Sequence, residues 1–426
     1  LNNQLSKQKI ALIQSGNMED DLDKLKDVDW VIECTPEKLE TKRDLYEKVG
    51  QYIKSTALIS STTSTIPLSE LKKDLNDTLQ GQLFISHFFN PPSKMPLLEL
   101  VADEYNNTNA IASFTRFADR NLGRNVIFVK DTPGFIANRI GMFWLLCAME
   151  EARKEGLDMK TADAVMNGAF GFPKTGIFAL ADLIGLKLIS EISESICRFL
   201  SKEDPFCQLE GLTIIKERLQ SGADSAGFYH GKDKSKSSPV SIEHWHEFLD
   251  KNKPESRFAK NVLVRMLGYT ANVTSVIADR ILQVDAAMRD GYGWGYGPFE
   301  MIDRLGSAWL AEHMIDQGMS PQTFLKQAGM GGSFYRIREG IGKEYLGFSG
   351  RNRIQKPEKD KWTLALLTAG KKRLLDNSSA ELYDIGDGIV CFSLTKGKMH
   401  VIDEAALDLL QQTVEKAETD FKGIII

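Results

Sequence analysis

Short apolar runs alternate with segments of helical periodicity through the first 130 residues of this chain. The apolar runs cover 29–34, 57–60, 83–86 and 125–129, and helical spacing is found in 36–50, near 68–76 and near 108–122. Strands that alternate with helices favour a doubly wound α/β sheet. Ligands of such sheets bind at the carboxyl ends of strands, where Glu37, Ser64 and His87 occur. The pattern therefore predicts a ligand site at that edge.

A histidine and a glutamate supply groups suited to proton transfer. His87 ends one apolar run, and Glu99 follows twelve positions later in Leu97-Leu98-Glu99. A neutral imidazole can take a proton from a hydroxyl near pH 7, and a carboxylate behind it stabilises the imidazolium that forms. The residues alone leave an alternative open, in which His87 merely ends a buried strand and Glu99 lies on an exposed one.

Three motifs together resemble the L-3-hydroxyacyl-CoA dehydrogenases of fatty-acid β-oxidation. They are Ser-His-Phe-Phe-Asn-Pro from Ser86, the segment ending at Glu99, and Asp-Thr-Pro-Gly-Phe-Ile-Ala-Asn-Arg from Asp131. The resemblance implies that His87 is the catalytic acid/base, that Glu99 orients it, and that Asn138 takes part in catalysis and contacts the substrate. It also implies NAD as the cofactor and an acyl-CoA as the substrate.

The same resemblance assigns further residues to binding. Ser64, in the run 61–67, is expected to contact both substrate and cofactor, and Asn90 is expected to contact the substrate. Glu37 and Lys42 match positions that reach the ribose on the nicotinamide side. An alternative for this pair is a carboxylate at a helix N-terminus with an exposed lysine on the next turn. Thr62 departs from the family, which usually has asparagine there.

A glycine-rich turn is missing from the start of the chain as given. Dinucleotide-binding folds hold the pyrophosphate on a Gly-x-Gly-x-x-Gly turn after their first strand, whereas Gly16 is the only glycine before residue 29. We therefore expect the first βαβ unit of the Rossmann-type domain to be absent from these 426 residues, and the fragment as given to be inactive.

An internal repeat follows the predicted sheet. Asp163-Ala-Val-Met recurs as Asp285-Ala-Ala-Met, and the aromatic and glycine residues downstream of each recur at matching distances. Helical periodicity covers 140–155 in the first copy and 262–281 in the second. The repeat predicts duplicated all-α domains, as in the multifunctional β-oxidation proteins that this chain resembles.

The carboxyl end has a strand, helix, strand pattern over 387–394, 403–417 and 423–426. This order looks like the start of a crotonase-type enoyl-CoA hydratase domain. The predicted domains are listed in chain order: an incomplete NAD-binding domain in 1–130, helical copies in 131–250 and 251–335, a linker in 336–378, and the crotonase-like start in 379–426.

Composition excludes several classes of partner. A net charge of −5 offers no global field for nucleic acid, and no apolar run approaches the length of a membrane span. Five scattered cysteines without a C-x-x-C pair disfavour a disulfide framework and a zinc site, so no metal is expected. A reducing cytoplasm fits these features best. The resemblance further suggests a homodimer or a complex with a thiolase.

The predicted function is NAD-dependent oxidation of L-3-hydroxyacyl-CoA to 3-ketoacyl-CoA, coupled in the full-length protein to enoyl-CoA hydratase. Two alternatives stay open. One is a binding or structural protein of the same fold that lost catalysis. The other is a dehydrogenase of a free hydroxy acid, which shares the histidine motif but leaves the hydratase-like end unexplained.

Overall fold

The computed structural model describes residues 7–221, 227–229, 242, 244–338, 342–355, 364, 368, 371–395 and 402–426. The chain forms two compact units, one of residues 1–305 with 309–322 and one of 306–308 with 323–426. None of the helices in these described ranges is long and apolar enough to cross a membrane.

A five-stranded sheet organises the amino-terminal part of the first unit. Its strands lie side by side in chain order: β1 (Trp30–Glu33), β2 (Leu58–Ser61), β3 (Leu83–Phe88), β4 (Leu97–Val101) and β5 (Asn125–Phe128). The first three are parallel, β4 is antiparallel to β3, and β5 is parallel to β4. All five residues of β4 are buried. The expectation of alternating strands and helices is confirmed, while the reversal at β4 was not predicted.

Short helices connect these strands and cover the sheet. They are α1 (Lys7–Ile10), α2 (Leu39–Gly50), α3 (Leu68–Lys72), α4 (Asp77–Gln82) and α5 (Thr108–Arg120), with a 3₁₀ helix at Leu22–Asp27. Asn107 caps α5 by accepting hydrogen bonds from Asn109 and Ala110, which satisfies donors that a helix start leaves open. Phe114 of α5 packs against Phe84 of β3 and Leu98 of β4.

Helices build the rest of the first unit around one central element. The helices are α6 (Ala137–Lys154), α7 (Met159–Met166), α8 (Phe178–Ile184), α9 (Leu186–Phe199), α10 (Gly211–Gln220), α11 (Trp245–Leu249), α12 (Pro254–Ile277), α13 (Ile281–Tyr292), α14 (Pro298–Leu305) and α15 (Ser307–Asp316). Every residue of α6 from Ala137 to Ala152 is buried. Helices α10, α12 and α13 surround it.

The aspartates of the repeat cap the following helix in each copy. Asp163 accepts backbone hydrogen bonds from Ile177 and Phe178, each at 2.7 Å, at the start of α8. Asp285 accepts one from Phe299 at 2.8 Å at the start of α14. Both aspartates are buried. The repeat is therefore a duplicated helix-turn-helix joint in which a buried carboxylate satisfies helix N-terminal donors.

Two details of the helical region differ from the sequence predictions. The helical segment expected over 262–281 is divided, because α12 ends at Ile277 and α13 begins at Ile281. The expectation of unpaired cysteines is wrong for one pair, since Cys197 at the end of α9 is bonded to Cys207. The two cysteines are ten positions apart, and the chain folds back between them. Their spacing along the chain did not indicate this bond. Cys34, Cys147 and Cys391 are free.

The second unit contains two small sheets. Strands β6 (Tyr335–Arg338), β7 (Gly342–Leu346) and β8 (Asn352–Ile354) form an antiparallel sheet, so the expected linker 336–378 includes folded structure. Strands β9 (Lys372–Asp376), β10 (Ala380–Gly386), β11 (Ile389–Leu394) and β12 (Gly423–Ile425) form another. Helix α16 (Thr323–Gly331) precedes the first sheet, and α17 (Glu404–Asp420) connects β11 to its parallel neighbour β12.

Candidate active site

The register of β3 against β4 brings the predicted base and carboxylate together. His87 lies directly opposite Glu99, and its Nδ1 is 2.8 Å from Glu99 Oε2. Glu99 is completely buried and His87 is 4 % exposed. The alternative of an exposed strand at Glu99 is therefore wrong. With Nδ1 bonded to the carboxylate, Nε2 is the ring nitrogen available to exchange a proton with a ligand.

The first turn of α6 holds the other oxygen of this carboxylate. Glu99 Oε1 accepts hydrogen bonds from the backbone N–H groups of Ile136 at 3.0 Å and Ala137 at 2.9 Å. These donors lie at a helix N-terminus, where backbone N–H groups and the helix dipole favour a negative charge. They offset part of the cost of burying Glu99 and fix the direction in which its second oxygen points.

Two phenylalanines enclose the imidazole. The ring centroids of Phe89 and Phe135 lie 4.5 Å and 5.7 Å from that of His87. Phe135 has a φ of 50° and follows Gly134, whose φ is 74°. A left-handed backbone at a bulky residue is strained and persists only where its surroundings hold it. The strained turn places the Phe135 ring against His87. It also positions the start of α6, whose backbone N–H groups bind Glu99.

The loop after β2 is held by Glu37. Its Oε1 accepts backbone hydrogen bonds from Ser64 at 3.0 Å and Thr65 at 3.1 Å, and hydroxyl bonds from Thr63 and Thr65. The Thr65 hydroxyl also lies 2.6 Å from the Ser195 hydroxyl on α9. Glu37, in the loop after β1, and Ser64, in the loop after β2, were both predicted as binding residues and are thus hydrogen-bonded to each other at the carboxyl edge of the sheet.

Lys42 lies in a buried ionic cluster that sequence reasoning missed. Its Nζ donates to both carboxylate oxygens of Glu33, at 2.9 Å and 3.1 Å, and lies 3.5 Å from Glu37 Oε2. Tyr46 and Ser61 also donate to Glu33. Lys42 is 1 % exposed, so the alternative of an exposed lysine is wrong. The only sign of this cluster in the sequence is Glu33 at the end of an apolar run, with Lys42 nine positions later.

Burial and hydrogen bonding act in opposite directions on Glu33. Burial raises the pKa of Glu33. Hydrogen bonds from Ser61, Thr35 and Lys42, together with the charge of Lys42, lower this pKa by more than burial raises it. The net result is a pKa below the ordinary value, so Glu33 remains ionised beside Lys42. The Glu33–Lys42 pair anchors α2 to the end of β1, and Lys42 Nζ also lies within 3.5 Å of Glu37 Oε2.

Asn138 connects the histidine pair to the serine loop. It follows Ala137 in the first turn of α6, and its Nδ2 is 3.5 Å from the carbonyl oxygen of Ser64. Its Oδ1 accepts a hydrogen bond of 3.1 Å from the hydroxyl of Tyr292. The structure therefore brings Glu99, Ser64 and Asn138 together around the start of one helix. Tyr292 was not singled out by sequence reasoning.

Asn90 is the remaining predicted residue. It lies two positions beyond the end of β3 and is exposed, so its side chain is open to a ligand. The neighbouring Phe89 is buried against His87. Placement just after the strand that carries the histidine agrees with the edge predicted from the sequence.

Comparison with protein families matches the two parts of this site. The 3-hydroxyacyl-CoA dehydrogenase NAD-binding domain matches residues 2–132, and the C-terminal domain of the same family matches residues 134–230. The chain belongs to the 3-hydroxyacyl-CoA dehydrogenase family. It is an oxidoreductase family with an NAD-binding domain, so the recognition from motifs is confirmed.

Two relatives that match nearly the whole chain are longer than it. A Rickettsia felis protein, whose name describes a fatty acid oxidation complex trifunctional enzyme, is 32% identical over 98% of this chain and 58% of its own length. A Bacillus subtilis protein, whose name describes a 3-hydroxyacyl-CoA dehydrogenase, is 28% identical over 98% of this chain and 56% of its own. The chain thus spans less than two thirds of either relative.

A solved structure supports the fold. The 3-hydroxybutyryl-CoA dehydrogenase of Escherichia coli K12 matches 73% of this chain and 83% of its own, with a TM-score of 0.55 and 19% identity. At that identity the likeness concerns the fold alone. It agrees with a Rossmann-like domain followed by a helical domain.

Proposed function

We propose that the natural protein oxidises L-3-hydroxyacyl-CoA to 3-ketoacyl-CoA with NAD in fatty-acid oxidation. The observation that carries this proposal is the buried pair of His87 Nδ1 and Glu99 Oε2, 2.8 Å apart at the start of α6. A neutral imidazole with a desolvated carboxylate behind it is suited to remove a hydroxyl proton. Family membership adds the class of substrate.

In the proposed mechanism, His87 Nε2 accepts the proton of the 3-hydroxyl while hydride leaves C3 of the substrate. Glu99 keeps the proton of the resting imidazole on Nδ1 and stabilises the imidazolium that forms. Asn138 and the Ser64 hydroxyl bind substrate oxygens and hold C3 in line for transfer. The phenyl rings of Phe89 and Phe135 exclude water from the imidazole and strengthen its interaction with Glu99.

The carboxyl edge of β1 and β2 fits the nicotinamide end of NAD. Glu37 is one-third exposed there and is fixed to the loop of Ser64, so a hydroxyl of the ribose could bond to this carboxylate. When bound, NAD supplies the acceptor of the hydride. The buried Lys42 Nζ lies 3.5 Å from Glu37 Oε2 and orients this carboxylate. The chain spans less than two thirds of the length of its Rickettsia and Bacillus relatives, so the assays below use the natural protein.

We further propose the domain boundaries predicted from the sequence, with 336–378 as a connecting segment that contains folded strands, and a crotonase-like start in 379–426. A parallel β11-α17-β12 crossover supports this last assignment. The name of the Rickettsia relative supports a coupled hydratase. Homodimerisation or a complex with a thiolase remains part of the proposal, to be measured by the mass of the protein in solution.

The test is NADH formation by the natural protein with NAD and L-3-hydroxybutyryl-CoA, compared with free L-3-hydroxybutyrate. We expect turnover of the thioester, and its loss in His87→Ala but not in His244→Ala, which removes an exposed imidazole at the start of α11. Turnover of the free acid alone would indicate a dehydrogenase of hydroxy acids. Binding of either compound without turnover would indicate a non-catalytic member of the fold.

A further inference from the structure

Tyr292 reaches the candidate active site from the second helical copy. It is the last residue of α13, and its hydroxyl donates to Oδ1 of Asn138 at 3.1 Å across a separation of 154 residues. Its ring lies 6.2 Å from that of Phe89, which packs on His87. Tyr292 is therefore hydrogen-bonded to Asn138, a predicted site residue. It also packs on Phe89, which in turn packs on His87.

The backbone around Tyr292 is shaped to admit its ring. A Cβ on Gly141, three residues after Asn138, would lie 2.1 Å from Tyr292 Cζ, and a Cβ on Gly291 would lie 2.6 Å from a methyl group of Leu97. Such approaches are far shorter than any real contact, so a side chain at Gly141 would displace the Tyr292 ring and one at Gly291 would displace the Leu97 methyl group. The two glycines permit α13 to bring this hydroxyl close to the first turn of α6.

We propose that Tyr292 is a positioning residue for the reaction, acting through Asn138. This inference rests on the proposed function. A side-chain amide can present either its oxygen or its NH₂ group to a ligand. Because Tyr292 occupies the oxygen, the NH₂ group of Asn138 faces the Ser64 carbonyl and remains the group that donates to a substrate oxygen. A residue of the second helical copy thereby determines which group of Asn138 donates to the substrate, in a site otherwise built by the sheet and α6.

The Tyr292 hydroxyl acts as a donor over the whole working pH range. Burial raises its pKa, and the negative charge of Glu99 raises it further. The hydroxyl therefore stays protonated at every pH used in the assay. A positioning role predicts that loss of this hydroxyl lowers kcat by the same factor at every pH.

The experiment compares Tyr292→Phe with Tyr296→Phe in the natural protein, using L-3-hydroxybutyryl-CoA and NAD. Tyr292→Phe keeps the ring that packs on Gly141 and removes only the donor. We expect kcat to fall about tenfold, with the KM for NAD and the midpoint of thermal unfolding unchanged. Tyr296→Phe, whose ring stacks on Arg304 at 3.9 Å, should leave all three quantities unchanged.

A double variant tests the route through Asn138. If Tyr292 acts by orienting that amide, Tyr292→Phe should have no further effect on kcat in an Asn138→Ala background. Additive losses, or a tenfold loss that varies with pH, would overturn the positioning role. So would an unchanged kcat in Tyr292→Phe when the parent is active. An inactive parent would overturn the proposed function and this inference with it.

Discussion

Exchange of Glu99 for glutamine tests the histidine pair most severely, because the structure fixes how the new amide must lie. Glu99 Oε1 accepts two backbone hydrogen bonds, from Ile136 and Ala137. In Glu99→Gln only the carbonyl oxygen can keep those bonds, so the NH₂ group must face His87 Nδ1. It would then donate to Nδ1 and force the ring proton onto Nε2. The base would be lost although every heavy atom stays in place.

The size of the effect follows from two losses. The ring takes the wrong tautomer, and the negative charge that stabilises the imidazolium disappears from a buried site. The equivalent exchange of aspartate for asparagine behind a catalytic histidine lowers kcat by roughly 10⁴, which corresponds to about 5.5 kcal/mol of transition-state stabilisation. We expect Glu99→Gln to lower kcat by at least about a thousandfold. The KM for the acyl-CoA should change little, because Asn138 and Ser64 are retained.

The assay is NADH formation under saturating substrate, with Glu104→Gln as the matched control. Glu104 is an exposed carboxylate a few residues beyond β4, so its exchange removes the same charge without touching the pair. Wild-type unfolding temperature in both variants would show that the fold is intact. A kcat within a few-fold of wild type in Glu99→Gln would refute the tautomer argument.

Two further predictions concern stability. Glu33→Gln removes the buried carboxylate to which Lys42 donates and leaves only Glu37, 3.5 Å away, so it should lower the free energy of unfolding at pH 7 by about 3 kcal/mol. Because the pKa of Glu33 is lowered in the folded protein, its contribution is present above pH 4.5 and is lost as the pH falls through the folded value. Urea unfolding should therefore separate the variant from wild type at pH 7 and less so in acid; equal separation at both would contradict this linkage. Asp285→Ala deprives the Phe299 N–H of its buried acceptor and should cost about 1–2 kcal/mol in the same assay, and an unchanged midpoint would refute the capping role of the repeat.

Local patterns were sufficient to predict four of the five strands of the sheet. Short apolar runs bounded by polar turns mark buried strands, and β1, β2, β3 and β5 lie within one or two residues of the expected positions. The pairing of His87 with Glu99 needed more than the pattern. It depends on β4 running antiparallel to β3 in the register that opposes these two residues. That reversal is set by the eight residues between the strands and by the burial of β4.

Long-range packing explains what the sequence did not reveal. Lys42 looks like a surface residue in a charged helix, and only the approach of α2 to β1 buries it against Glu33. Tyr292 belongs to an aromatic and glycine-rich segment that predicts packing, and its contact with Asn138 exists only because α13 docks on α6. The bond between Cys197 and Cys207 likewise depends on how one loop folds back. Such contacts join residues whose spacing along the chain carries no signal.

The central claim is that His87 is the base of an alcohol oxidation, and a single-turnover measurement tests it most directly. The natural protein, saturated with NAD, is mixed with a substoichiometric amount of L-3-hydroxybutyryl-CoA, and NADH is followed in time. His87→Ala should slow this single turnover by at least about 100-fold, while acetoacetyl-CoA binds with a Kd close to that of wild type. A variant that forms NADH at the wild-type rate would contradict the assignment of His87 and the mechanism built on it.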